Sequence, residues 1–303
     1  MAKLKKMVSA LGSFKDLSTA RTEFDDPSRT LPADEIFPPE DIRPGATDAR
    51  TLLLRITHAS VEHPTTSQGD TFAVVHIPAA HDFAAVVTIN PSTQIESGQT
   101  FGTLADEGRW PVVVAIAEEF LGVKIDHVAE LESVALGQVI DELGGLPVYS
   151  RAAFSADEVD FVEGTNHLTS TTAAVFTTAD PVDDAGQTRT RNQRAALRAL
   201  VQGLKSGGLG KDPNKAATVF GHFASGIHHD AALTTIELGK IANNLRQLKQ
   251  DDIAVVTAPT NSRREDDGTV KVDFDPEAMP ALKEALAGTD LPDFFRYLAS
   301  LGY

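Results

Sequence analysis

Three short runs of apolar and β-branched residues stand close together: TLLLRIT at 51–57, TFAVVHIP at 71–78 and FAAVVTIN at 83–90. Runs of this length and composition read as buried strands, so the chain has to cover a sheet with other layers. His81-Asp82 makes a turn, which predicts a hairpin between the second and third runs. Pro111 sits where a first helical turn tolerates proline, Val112–Leu121 continues as a helix, and Gly122 suits its C-terminal stop. Ile125–Leu131 reads as a strand, Ser133 as the cap of a helix ending at Gly144-Gly145, and Pro147–Ser150 as another short strand. Helical patterns follow at Leu168–Thr177, Arg189–Lys205, Asn214–Ser225 and Ala231–Lys249. Ile253–Ala258 and Val270–Phe274 read as strands on either side of a charged loop, Ser262–Gly268, and Glu277–Ala287 and Leu291–Leu301 close the chain as helices. The expected fold class is α/β, a mixed central sheet flanked by helices.

Residues 17–50 are rich in Pro, Asp, Ser and Thr with little periodicity and read as extended, which divides the chain into a leader, 1–50, and an α/β domain, 51–303. The formal net charge of -16 argues against nucleic-acid binding, which needs basic surface to displace counterions. Without cysteine there are no disulfides, zinc-thiolate sites or cysteine nucleophiles. No stretch reaches the roughly 18–20 apolar residues of a membrane span, and the N-terminus lacks the apolar core of a secretory signal. Leu4, Met7, Val8, Leu11 and Phe14 do recur at helical spacing among Lys3, Lys5, Lys6 and Lys15. That pattern fits either an anionic membrane surface or a tail or packing helix.

Five ordered segments carry more specific information. They are Gly69-Asp-Thr71, Gly122-Val-Lys-Ile-Asp-His127, Ile140-Asp-Glu-Leu-Gly-Gly-Leu-Pro-Val148, Gly164-Thr-Asn-His-Leu168 and Thr188-Arg-Thr-Arg-Asn-Gln193. In this order and spacing they resemble the LytR-CpsA-Psr (LCP) family of cell-wall glycopolymer phosphotransferases. The resemblance implies an apolar tunnel for a polyprenyl tail, with arginines and aspartates at its mouth holding a pyrophosphate, usually with magnesium. It implies transfer of a glycopolymer phosphate from a lipid carrier to peptidoglycan or a related acceptor, outside the cytoplasmic membrane.

Residue by residue, the match is uneven. Asp70 fits the family's metal-associated aspartate, and Arg189 and Gln193 fit the last motif, so these three are the catalytic candidates. The arginine expected before Asp70 is Gly69 or Gln68. Thr88-Ile-Asn-Pro-Ser-Thr93 stands where the family has S-I-P-R-D-T, leaving Pro91 for an arginine and keeping Thr93. Thr178 and Asp180 take the places of two further arginines, and Asn192 of another; shifting the last motif by one residue would bring Arg191 or Arg194 into the site. Arg191, Arg194, Thr93 and Thr178 are therefore the ligand-binding candidates, and Asp70 the candidate metal ligand, for magnesium if the chain is active. Breaking a pyrophosphate P–O bond builds negative charge on the leaving group, which needs fixed cations. Losing one such clamp typically costs hundreds-fold in rate.

The expectation is a catalytically degenerate LCP-like protein. It would act as a binding or accessory protein of the cell envelope, holding a polyprenyl or other lipid ligand, or serving a membrane assembly or an active relative. The alternative is an active phosphotransferase with a rearranged site, and a third reading is an interaction module with a filled core. Placement is membrane-associated or extracytoplasmic by resemblance, with the cytoplasm open because no anchor is visible in the sequence. Among other constellations, His228-His229-Asp230, His58/His63 and His76/His81 have poor spacing for a metal. His127 and His167 read as structural, and Asp180, Asp183 and Asp184 as a solvated acidic loop near Arg189 or a cation site. Lys205–Lys211 fails the phosphate-loop pattern twice, at Lys205 and Asp212.

Overall fold

The computed structural model describes residues 15–32, 35–58, 69–95, 98–182, 184–288 and 291–301. The lysine-rich pattern before Lys15, His63, Gln68 and Asp183 lie outside these residues. Thirteen strands are described: β1 (Thr30–Leu31), β2 (Arg50–Thr57), β3 (Thr71–Ile77), β4 (Ala84–Ile89), β5 (His127–Glu132), β6 (Leu146–Ser150), β7 (Phe154–Ala156), β8 (Val159–Phe161), β9 (Gly164–Leu168), β10 (Ile227–Asp230), β11 (Ile253–Thr257), β12 (Thr260–Arg264) and β13 (Val270–Phe274). The labelled helices are α1 (Phe101–Asp106), α2 (Trp110–Leu121), α3 (Ser133–Glu142), α4 (Ser170–Thr178), α5 (Gln187–Ser206), α6 (Pro213–Gly226), α7 (Thr235–Gln247), α8 (Met279–Ala287) and α9 (Leu291–Leu301).

The seven-stranded main sheet has the order β1-β10-β5-β2-β3-β4-β11. It is mixed: β2, β3 and β4 are successively antiparallel, while β5 runs parallel to β2 and β11 parallel to β4. Alternation along each strand feeds two cores. Leu53, Phe72, Val74, Val87 and Val128 pack against α1, α2, α8 and α9. Ile56, Ala73, Val86, Ala129 and Val255 pack on the other face against α3, α5, α6 and α7. Helices on both faces explain why the central strands read as unbroken apolar runs. A third cluster, including Ile140, Val148, Phe161, Leu168 and Phe176, holds β6–β9 and α4 together.

The stop at Gly122 is as expected: it adopts φ 70° and its N–H bonds the Glu118 carbonyl. Elsewhere the structure differs from the pattern. Gly164–Leu168 pairs with β6 in an antiparallel ribbon, and Ile227–Asp230 joins the main sheet beside β5. Both are too short and polar (GTNHL, IHHD) to show a strand period. The loop over 262–268 is shorter than its charge suggests, because Thr260–Arg264 pairs with β13. Residues 15–24 are helical rather than extended, and their Ala20 and Phe24 are buried in the second core. Phe24 stacks on His229 at 4.2 Å, and His229 Nε2 lies 2.9 Å from the Phe24 carbonyl.

Candidate functional site

The ends of β2, β4 and β5 meet the start of β3 at one end of the sheet, and Asp70 sits there, 5% exposed. Its Oδ1 accepts the His58 backbone N–H at 2.9 Å and its Oδ2 accepts Arg55 Nε at 2.7 Å. Arg55 projects from near the C-terminal end of β2 and also binds Asp106 of α1 (2.6 Å) and Glu130 of β5 (3.3 Å). Its guanidinium packs 5.6 Å from the Phe72 ring centre. Burial would lower the Arg55 pKa, but Asp70, Glu130 and Asp106 outweigh it and the net direction is up. Burial raises the Glu130 pKa in spite of Arg55.

Helix α5 brings the other candidates in. Gln193 Nε2 donates to the carbonyls of Gly69, Asp70 and Thr177, each at 3.1 Å, tying α5 to the turn into β3 and the end of α4. A Cβ built on Gly69 would lie 3.5 Å from Thr178 Cγ2, so the positions of two expected arginines are neighbours and both are neutral. Arg189, at the start of α5, pairs with Asp180 at 3.5 Å. His58 Nε2 lies 3.1 Å from Thr177 Oγ1, while its Nδ1 stands 4.0 Å from Asp70. Burial lowers the His58 pKa, Asp70 opposes this, and Arg189 adds to the lowering, so the ring is neutral at pH 7.

The sequence candidates thus divide. Asp70, Gln193 and Thr178 converge, and Arg189 stands near enough to affect His58. Thr93 lies in the turn after β4, where its backbone bridges to Val272 and its Oγ1 is buried without a partner. Arg191 turns to Asp184 at 3.3 Å, and Arg194 lines a groove on another face of α5. The acids at 180 and 184 relieve the unfavourable placement of arginines at a helix start. Arg55, Asp106, Glu130 and His58 were missed by motif reading. The signal for Arg55 was a charge inside an apolar run, which is seldom buried unpaired.

The charge balance is the site's main chemical property. Two guanidiniums, Arg55 and Arg189, face four carboxylates, Asp70, Asp106, Glu130 and Asp180. Among the described residues no group of three His, Asp or Glu side chains is placed to hold a metal. Asp70 already engages a cation through one oxygen and an N–H through the other, so the residues present do not fit a resident magnesium ion. Behind Asp70, Ile56, Leu136, Ile140, Ala173 and Leu197 line an apolar cavity of about 30 Å³. That is space for a couple of waters rather than a prenyl chain.

Residues 60–288 match the LytR_cpsA_psr family, and the chain belongs to it. A Bacillus cereus protein, polyisoprenyl-teichoic acid–peptidoglycan teichoic acid transferase TagU, is 28% identical over 123 residues, 40% of this chain and 38% of that protein. The match therefore spans well under half of that relative's length. TagV of B. subtilis superposes with a TM-score of 0.62 at 17% identity, covering 80% of this chain and 97% of that one. TagT bound to LI-WTA superposes with a TM-score of 0.60 at 15% identity, covering 83% and 97%. An Enterococcus faecalis protein described as a transcriptional regulator gives a TM-score of 0.60 at 16% identity, covering 80% and 89%. At these identities the likeness is one of fold. The mixed sheet flanked by helices is the architecture the sequence implied.

Proposed function

We propose that this chain is a non-catalytic LCP protein of the cell envelope that binds rather than transfers. The observation that carries the reading is the exhausted charge beside Asp70: both guanidiniums are matched to carboxylates, and the neighbouring positions 69 and 178 are glycine and threonine. Among the described residues, a pyrophosphate brought there would meet no surplus cation to neutralise its leaving group. Residual binding capacity is supported by buried atoms without hydrogen-bond partners, namely His58 Nδ1, Arg189 Nε and Gln193 Oε1. Such groups cost free energy unless a ligand or water satisfies them. A polyprenyl or other lipid tail would have to part α3, α4 and α5 around the small apolar cavity. Partners in this reading are a lipid-linked polymer, an active family member or a membrane assembly.

The second reading, an active phosphotransferase, draws on one feature: Asp70, Arg189 and Gln193 all survive, with Arg55 supplying a guanidinium to Asp70. Single-turnover incubation with polyprenyl pyrophosphate and magnesium separates the two. Lipid that stays bound and intact supports the binding role. Phosphate release that disappears in Asp70→Ala overturns it.

A further inference from the structure

The helix over 15–24 is fastened to the main sheet at a buried point. Its Phe24 lies on His229 of β10, which is 4% exposed. The two rings stack with centres 4.2 Å apart and planes 13° from parallel. His229 Nε2 stands 2.9 Å from the Phe24 carbonyl, and Nδ1 stands 2.8 Å from the Asp230 carbonyl. Both oxygens belong to the backbone and can only accept. A neutral imidazole carries one N–H, so one of its nitrogens would turn a lone pair on a carbonyl oxygen. An imidazolium carries two and satisfies both carbonyls at once. Its charge is also attracted to the face of the Phe24 ring. Other ties between this segment and the sheet are modest. β1, which follows the helix, pairs with β10 over two residues, and Asp25 accepts Thr235 Oγ1 at 2.5 Å.

We propose that His229 is a proton-dependent latch: protonated, it clamps the helix over 15–24 to β10 through the Phe24 carbonyl, and neutral, it lets that helix loosen. Docking takes up one proton from solvent, so acid tightens the contact and base weakens it. The ionisable groups on the elements packed around the ring are Arg21, Glu23 and Asp25 on the helix and its end, Arg29 before β1, His127 and Glu130 on β5, His222 on α6, and Asp230 beside it. Arg21 pairs with Asp25, and Glu130 with Arg55. The Asp230 carboxylate accepts the Val128, Ala232 and Leu233 N–H groups and faces His127. The helix joins the core to the residues that carry Lys3, Lys5 and Lys6. The latch therefore couples acidity to how firmly the core holds the helix that leads to them, whether or not the Asp70 site turns over.

The test is hydrogen–deuterium exchange of the full chain at about pH 5.5 and pH 8, with each rate divided by the intrinsic rate at that pH. Protection of the helix over 15–24 should be at least about fivefold greater at the lower pH, within the tenfold per pH unit that one proton allows. Desolvation lowers the His76 pKa, so its effect on global stability runs the other way in acid and cannot produce this gain. In His229→Gln, whose amide can donate but does not titrate, the ratio should fall below about twofold. A parent ratio under fivefold overturns the proposal, as does a ratio of twofold or more in His229→Gln. If His229→Gln does not fold, the nitrogen-15 spectrum of the histidine-labelled parent decides. At pH 5.5 both ring nitrogens of His229 should carry slowly exchanging protons, and a bare nitrogen there overturns the latch.

Discussion

Replacing Arg55 by methionine should remove the cation around which one end of the sheet is organised. Arg55 is 6% exposed and binds Asp70, Asp106 and Glu130 at 2.7, 2.6 and 3.3 Å. Asp106 and Glu130 retain roughly a quarter of their side-chain exposure, so water takes over part of their stabilisation and they contribute little to the loss. Asp70 has no such recourse and keeps only the His58 N–H. Stranding one buried charge costs about 3–5 kcal/mol. With an unfolding entropy near 2.1 cal/mol/K per residue, this 303-residue chain should melt about 5–8 °C lower. The assay is calorimetry of the parent, Arg55→Met, Asp70→Asn and the double variant. Arg55→Met/Asp70→Asn should recover at least half of the loss, because the neutral pair strands no charge and Asn can still accept the His58 N–H. A single variant melting within 1 °C of the parent would refute the reasoning, as would a double variant no more stable than the single.

Gln193→Leu should cost about 2–3 kcal/mol by denaturant titration, since the carbonyls of Gly69, Asp70 and Thr177 lose their shared donor; a loss below 0.5 kcal/mol contradicts the tie. Acid should destabilise the fold through His76, buried beside Thr51 with its pKa pushed down to about 4 by desolvation. Its folded pKa lies below the unfolded value of 6.5, so stability is intact above 6.5 and falls as pH drops toward 4, by about 3 kcal/mol in all. Glu130 and Asp126 have raised values and pull the opposite way just above their ordinary range. His76→Gln should flatten the profile between pH 6.5 and 4, and an unchanged slope counts against the assignment. Gly145→Ala should destabilise by at least 1 kcal/mol in the same titration, because the residue holds φ 87° and a Cβ would come 2.8 Å from the Leu168 carbonyl; a neutral result would mean that β6 and β9 shift freely.

The sheet was legible where strands are long and covered on both faces, as in β2, β3 and β4, because burial demands continuous apolar residues there. It was not legible in β7–β10, whose FSA, VDF, GTNHL and IHHD are too short for a period. The helix over 15–24 hid at the start of a stretch rich in Pro, Asp, Ser and Thr, its mark being the helical spacing of Leu17, Ala20 and Phe24. The site was half legible. Asp70, Arg189 and Gln193 stood out by motif, but Arg55 did not, because its partners Asp106 and Glu130 are 51 and 75 residues away and only the fold assembles them. The helical period does divide α5 into a face with Gln193 and a face with Arg191, Arg194 and Arg198. Which face met Asp70 awaited tertiary structure.

A crystal structure grown with magnesium pyrophosphate probes the charge balance at Asp70 most directly. The account predicts Arg55 still bound to Asp70, Asp106 and Glu130, Arg189 on Asp180, and no pyrophosphate beside them. Pyrophosphate next to Asp70, gripped by three or more guanidinium groups, would contradict it and return the chain to the transferases.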